Sequence, residues 1–273
     1  MRQPNRRQRA LLLLLLTLAV LLAVTMAGAL FTQRAMETDF SRMNRSPSLT
    51  FLFGTDWMGR DMLARTLAGL SLSIRIGVLT ALVSAVIALL CGVAAALSRR
   101  ADAVLSWCID LFLGIPHILL VMLISLAFGR GFLGVVAGVS LSHWPSLARV
   151  IRGEVLSLRH APYLLAAEKL GAPRGQIVRR HLLPHLLPQF LTGLILQFPH
   201  AILHEASVTF LGFGLSSEQP AIGVILSESM QYLTTGRWWL ALFPGLALVG
   251  VVLLFAALGE QVRRVLDPSS VHQ

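Results

Sequence analysis

Charged side chains divide the chain into long apolar runs. Six stretches contain no Asp, Glu, Lys or Arg over 18 to 24 residues: 10–33, 76–98, 111–129, 131–148, 181–204 and 238–259. About 20 apolar residues in a helix cross the hydrocarbon core of a bilayer, and backbone polar groups in lipid must be satisfied within the segment. The pattern therefore predicts an all-α integral membrane protein with six transmembrane helices, some of them running past their windows. In the first window, Arg2, Arg6, Arg7 and Arg9 precede a leucine run and then Ala27, Gly28 and Ala29, which imitates a cleavable signal. Its apolar run exceeds the roughly 7–15 residues of a signal core, so an uncleaved anchor helix is expected. The expected organisation is an anchor helix with an external segment over 1–70, followed by a five-helix core over 71–273 whose largest cytoplasmic loop covers about 149–185.

Composition reinforces the membrane reading. The chain is 55% hydrophobic and 13% charged, with a mean hydropathy of +0.73, against about 45–50% apolar and about 25% charged in soluble domains. The net charge of +10 would suit nucleic acid or an anionic membrane, and the location of the charges decides between them. With the N-terminus inside, fifteen of the 23 basic residues fall on the inner side: four before the first window, Arg99 and Arg100, seven between Arg149 and Arg180, and Arg263 with Arg264. This is the positive-inside bias, and it places both termini in the cytoplasm. No compact basic face interleaved with aromatics is left for nucleic acid. Cys91 and Cys108 lie in apolar stretches without zinc or disulfide spacing and read as small core residues.

Three loops are long enough to carry function. The external one, about 34–75, contains FGTDWMGRDMLAR over 53–65. Thr55 or Asp56 is expected to cap a short helix there whose first turn ends near Gly59, with Phe51, Phe53 and Trp57 as interfacial anchors. The cytoplasmic loop contains YLLAAEKLGA over 163–172. Tyr163, Ala166, Ala167 and Leu170 recur at helical spacing, which predicts a short amphipathic helix stopped by Gly171 and Pro173. Such a helix, with no lipid to cover its apolar stripe, is suited to docking on a protein. The third loop, 212–237, is external and has Gly212, Gly214, Pro220 and Gly223 as turn residues.

These residues resemble a family. Ala166, Ala167, Gly171, Leu183 and Pro184 match the cytoplasmic EAA signature of ABC importer permeases, with Leu165 where that signature usually has glutamate and His181 where it usually has isoleucine. The run Gly54, Thr55, Asp56, Gly59, Arg60, Asp61 within 54–61 is similar to the external motif of dipeptide, oligopeptide and nickel permeases of the second permease type. HEASVTFLGFGL over 204–215 resembles the fifth helix of that branch and its exit. The resemblance covers about 51–268. It implies a type I permease bundle in a bacterial inner membrane, a homologous permease subunit as partner, two ATPase subunits docked through Tyr163, Leu165, Ala166, Ala167, Gly171, Leu183 and Pro184, and an extracytoplasmic substrate-binding protein. No phosphate-binding loop is present, and the lone lysine, Lys169, sits in the cytoplasmic helix. ATP and magnesium are therefore expected on the partner subunits, with no cofactor and no catalytic residue on this chain.

Ionisable residues inside apolar windows are costly and carry functional information. Asp110 suits an interhelical ion pair or a cap, and His143 with Trp144 before Pro145 suits packing at a kink; His117 is a further polar candidate. His200 and His204 are four residues apart, on one face of a helix, with Glu205 adjacent. Either these groups are hydrogen-bonded structure, or they line a passage for a metal ion or metal chelate, with His200 and His204 as transient ligands. Their place ahead of 209–212 resembles nickel-type more than peptide-type members, with dipeptide or oligopeptide cargo as the alternative. A metalloenzyme would need a histidine where Val208 stands after His204 and Glu205. A secondary transporter would need an internal repeat, and none is evident.

Overall fold

A computed structural model describes residues 6–158 and 161–266. Arg2 and Arg159, both used in the charge argument, and the C-terminal segment lie outside the described residues. Among those residues the structure is helical, without strands: α1 (Arg6–Leu30), α2 (Thr32–Met36), α3 (Met62–Leu97), α4 (Arg99–Gly114), α5 (His117–Ala127), α6 (Gly131–Leu158), α7 (Pro162–Lys169), α8 (Arg174–Ile177), a π-helical turn (Val178–Leu182), α9 (Leu183–Phe210), α10 (Ile222–Leu233) and α11 (Trp239–Leu266).

The longest element, α3, is the central post. Its 36 residues rise about 54 Å at 1.5 Å each, more than a bilayer core requires. It packs on α1, α6 and α9. On α1 the inward positions Ala10, Leu14, Thr17, Leu21, Val24 and Gly28 recur every three or four residues, while Leu11, Leu12, Leu15, Leu16 and Leu22 are exposed. An apolar outer face of this kind fits lipid rather than water. At Gly28 α1 touches α3 closely, since a Cβ there would collide with the Leu67 carbonyl, and the Ser71 hydroxyl donates to the Thr25 carbonyl at 2.8 Å. Small residues at this point let two backbones touch.

Among the described residues, four helices are long and apolar enough to cross a membrane: α1, α3, α9 with the segment before it, and α11. The third window, 111–129, is not one helix. It joins the end of α4 to α5 across Ile115 and Pro116, and the two are bent by 100°, giving at most a broken fifth span. Pro116 has no N–H to extend α4, and the extended backbone of Ile115 ends that helix. The 11 residues of α5 reach only about 16 Å, too short to cross alone. The fourth window lies in α6, which has the length but carries Ser140, Ser142, His143, Arg149 and Arg152; it packs against α3, α4, α5 and α9. By length and apolarity alone, four spans qualify among the described residues, or five with the broken pair, so the expected count of six is not confirmed on that measure.

Gly134 and Gly138 act within the subunit. A Cβ at either would meet α5 backbone, at Ser125 O and Val121 O respectively, at 2.6 and 2.7 Å. Asp110 pairs with Arg149 at 2.6 Å, joining α4 to α6 as an interhelical ion pair, and Asp102 pairs with Arg152 in the same seam. Cys91 and Cys108 are free and half-buried beside the α3–α6 core.

Candidate functional site

The segment ahead of α3 folds as a clamp rather than as a short helix. Gly54 and Gly59 have φ of +72° and +74°, a left-handed region that glycine enters without penalty and that a helix excludes. Asp56 therefore does not cap a helix. Its Oδ1 accepts from the backbone N–H of Met58 and Arg60 at 2.9 Å, and its Oδ2 accepts from Arg60 Nε at 2.7 Å and Arg65 Nη1 at 2.6 Å. Glu228 on α10 completes the group, receiving Arg60 Nη2 at 3.2 Å and Arg65 Nη1 at 3.0 Å. Two carboxylates and two guanidiniums neutralise one another in a site that is nearly dry on the Asp56, Arg60 and Arg65 side. The helix cap belongs to Asp61, whose carboxylate accepts from Leu63 N–H at 3.0 Å and pairs with Arg34 at 2.9 Å. Thr55 is fully buried; it accepts from Arg45 N–H and donates to the Arg42 carbonyl. Phe53 stacks on Phe243 of α11 at 4.8 Å instead of anchoring in lipid headgroups. All six residues of the 54–61 motif, Gly54, Thr55, Asp56, Gly59, Arg60 and Asp61, are buried in this clamp.

On the opposite side of the chain, α7 starts with Pro162 at its first turn, where the missing N–H costs nothing. It ends at Leu170 and Gly171, the latter at φ +80°. Only Leu164 turns inward, joining Leu158, Leu182 and Leu186 in the core. Tyr163, Leu165, Ala166 and Leu170 are exposed and Ala167 is half-exposed. The apolar stripe is thus left uncovered by this chain. Beyond it the π-helical turn leads into α9, where the Leu183 N–H reaches the Val178 carbonyl, five residues back. Pro184 next in line cannot donate, and the wider turn accommodates its ring. Leu183 and Pro184 are exposed along a groove of about 390 Å³ lined by Leu89, Leu183, Pro184, Leu186, Leu187 and Phe190.

The sequence-predicted His200, His204 and Glu205 do not form one group. Successive helical residues point about 100° apart, so Glu205 turns into the protein. It is fully buried, accepting from the Thr209 hydroxyl at 3.1 Å with Ser73 as its other polar neighbour. His200 is exposed. His204 donates from Nδ1 to the His200 carbonyl at 2.7 Å and points toward two other imidazoles. These belong to His117, the first residue of α5 after the break, and His143, beside the Pro145 position of α6. The His117 ring lies 4.5 Å from that of His143 and 4.3 Å from that of His204, and the last two are 5.0 Å apart, all edge to face. Helical spacing cannot reveal this cluster, because its members lie on three helices. The break at Pro116 is the sequence signal that brings His117 into position.

Comparison with known proteins completes the picture. The family model described as "Binding-protein-dependent transport system inner membrane component" matches residues 84–271. A putative peptide transport system permease protein of Brucella suis is 36% identical over 267 residues, covering 98% of this chain and 90% of that protein. The dipeptide transport system permease protein of Bacillus subtilis is 30% identical over 267 residues, covering 97% and 83%. These relatives give no specific support to the nickel-type likeness drawn from the His pair. Among solved structures, the inward-facing MetNI methionine ABC transporter matches with a TM-score of 0.61 at 22% identity, over 76% of this chain and 98% of the matched one. That likeness shows the type I ABC permease fold. The chain belongs to the binding-protein-dependent transport system inner membrane component family, a multi-pass permease of ABC importers rather than an enzyme.

Proposed function

We propose that this chain is the permease subunit of an ATP-driven importer of dipeptides or oligopeptides. The observation that carries the substrate class is the pair of relatives above, each similar over nearly the whole chain to this one and each named for peptide or dipeptide transport. It would pair with a homologous permease, so that two faces enclose the passage, with two ATPases below and a binding protein above. Both termini would lie in the cytoplasm, with the clamp outside. The exposed stripe of α7, with Leu183 and Pro184 beside it, would dock in the ATPase. ATP and magnesium would be held there, and closure of the ATPases would rock the permease pair from inward-open to outward-open. The face bearing His200 and His204 would line the passage. Residues 1–70 would serve as anchor and external clamp for the 71–273 core.

Uptake of a labelled dipeptide and of labelled nickel, measured in cells expressing the full importer and in cells lacking this chain, tests the reading. Chain-dependent dipeptide uptake is expected. Nickel uptake with no peptide uptake would reverse the substrate assignment.

A further inference from the structure

We infer that His117, His143 and His204 form a weak binding site for a late first-row divalent metal ion such as Ni2+, taken alone or as a peptide chelate. One nitrogen from each ring lies within 4.8 Å of the others, and no carboxylate belongs to the group. In two of the rings the second nitrogen is already committed. His143 Nδ1 faces the Val139 carbonyl at 2.9 Å, and His204 Nδ1 faces the His200 carbonyl at 2.7 Å. A carbonyl only accepts, so both rings carry their proton on Nδ1 and present the bare Nε2 lone pair. Imidazoles that bind metals are held in this way, by a backbone carbonyl that fixes tautomer and orientation.

The chemistry of the donors selects the ligand class. Three neutral imidazoles suit Ni2+, Cu2+, Zn2+ and their neighbours, whereas Mg2+ and Ca2+ require oxygen donors. Metal–nitrogen bonds of about 2.0–2.1 Å put ligand atoms roughly 3.4 Å apart. The rings as they stand must therefore close by about an ångström to grip an ion. A loose, uncharged three-donor set leaves a coordination position for a cargo ligand, and it allows release, which a passage needs. Placement supports the same role. His117 of α5 and His204 of α9 are half-exposed, His204 shares its face of α9 with the exposed His200, and only His143 is buried, so the cluster is reachable from that face. The break between α4 and α5 puts His117 there, in the manner of discontinuous helices that build transport sites.

The inference rests on the reading of this face as the passage, and its test separates the two. The full importer, purified without a polyhistidine tag in lipid nanodiscs, is titrated with Ni2+ alone and with Ni2+ bound to a histidine-containing tripeptide. The variants are His117→Phe, His143→Phe and His204→Phe, which keep an aromatic ring, with His185→Ala as the control. Saturable binding is expected in the wild type and in His185→Ala, weakened at least tenfold in each Phe variant. The ratio between the two titrations identifies free ion or chelate as the form taken. No saturable wild-type binding, or binding unchanged when all three rings are replaced, overturns the site. Dipeptide uptake by the same wild-type importer is scored independently, so a failed peptide assignment is not mistaken for a failed metal site.

Discussion

Arg65 Nη1 meets Asp56 Oδ2 at 2.6 Å, with both side chains less than 5% exposed, where α3 leaves the external clamp. The same guanidinium nitrogen reaches Glu228 of α10, 163 residues away in sequence, at 3.0 Å. One arginine thus ties the external motif, the start of the central helix and α10 into a single block. Desolvating four charges is costly, so the network adds modestly to stability when whole. Removing one partner is a different matter, because the remainder is left buried and uncompensated.

Arg65→Ala is accordingly expected to destabilise the protein by about 3–5 kcal/mol, the range for breaking a buried ion pair from one side. Arg65→Lys should fall between, since an ammonium keeps the charge but lacks the planar fork. Thermal unfolding of the purified chain in detergent, read against wild type, checks both. An unchanged unfolding temperature for Arg65→Ala would show that the clamp is not cooperative with α3.

The glycines of the external segment should be unequal to a glycine in an open turn. Gly59 sits at φ +74°, and a Cβ there would overlap the Asp39 carbonyl. Gly129 sits at φ +90° with nothing within 4 Å of a Cβ. Gly129→Ala should cost only the left-handed backbone penalty, about 1–2 kcal/mol. Gly59→Ala should exceed it, because the loop must also move off Asp39. Ranking the two by the same unfolding assay decides; equal losses would mean that the loop relaxes freely.

The contrast between these two sites shows what a one-dimensional pattern carries. The runs without charge locate α1, the middle of α3, α6, α9 and α11, because each is a local statement about lipid and backbone. The turn residues Gly171 and Pro173 stop α7 where their chemistry says they should. The break is marked in the sequence by Pro116 alone, and the charge pattern masks it, because Ile115 and Pro116 sit inside an uncharged run whose length imitates one span. The reading of Asp56 as a cap failed for a related reason. An Asp before an apolar run is a cap signal, but Asp61 has the same signal five residues later, and only the left-handed Gly59 between them decides. Glu228 and the His117, His143 and His204 cluster are tertiary facts, and no helical spacing on one element contains them. His204 was legible as chemistry, its true neighbours were not.

Topology gives a further test. Alkaline phosphatase folds only on the oxidising side of the inner membrane, so fusions report which side a loop occupies. The charge asymmetry predicts low activity for a fusion at Arg174 and high activity at Gly223, with the clamp near Gly54 also outside. High activity at Arg174 would invert the protein and remove α7 from the reach of any cytoplasmic ATPase.

The division of labour on α7 gives the sharpest separation of stability from function. Leu164 is buried with Leu158, Leu182 and Leu186, whereas Ala167 lies on the uncovered stripe between Tyr163 and Leu170. Leu164→Ala removes core volume and should cost about 2–5 kcal/mol, lowering the amount of protein in the membrane. Ala167 is only half-buried, so Ala167→Arg should cost less stability than Leu164→Ala. Its charge would nevertheless fall in the proposed ATPase contact, where small residues permit close approach. Transport should drop at least tenfold at normal membrane levels, and less ATPase should copurify with the permease. A partial check comes from Gly171→Ala, which strains a left-handed position at φ +80° without adding charge and should disturb the end of α7 more than its docking face. If Ala167→Arg transports at the wild-type rate with its ATPase retained, the exposed stripe is not the docking surface, and the groove lined by Leu183, Pro184 and Phe190 becomes the next surface to probe.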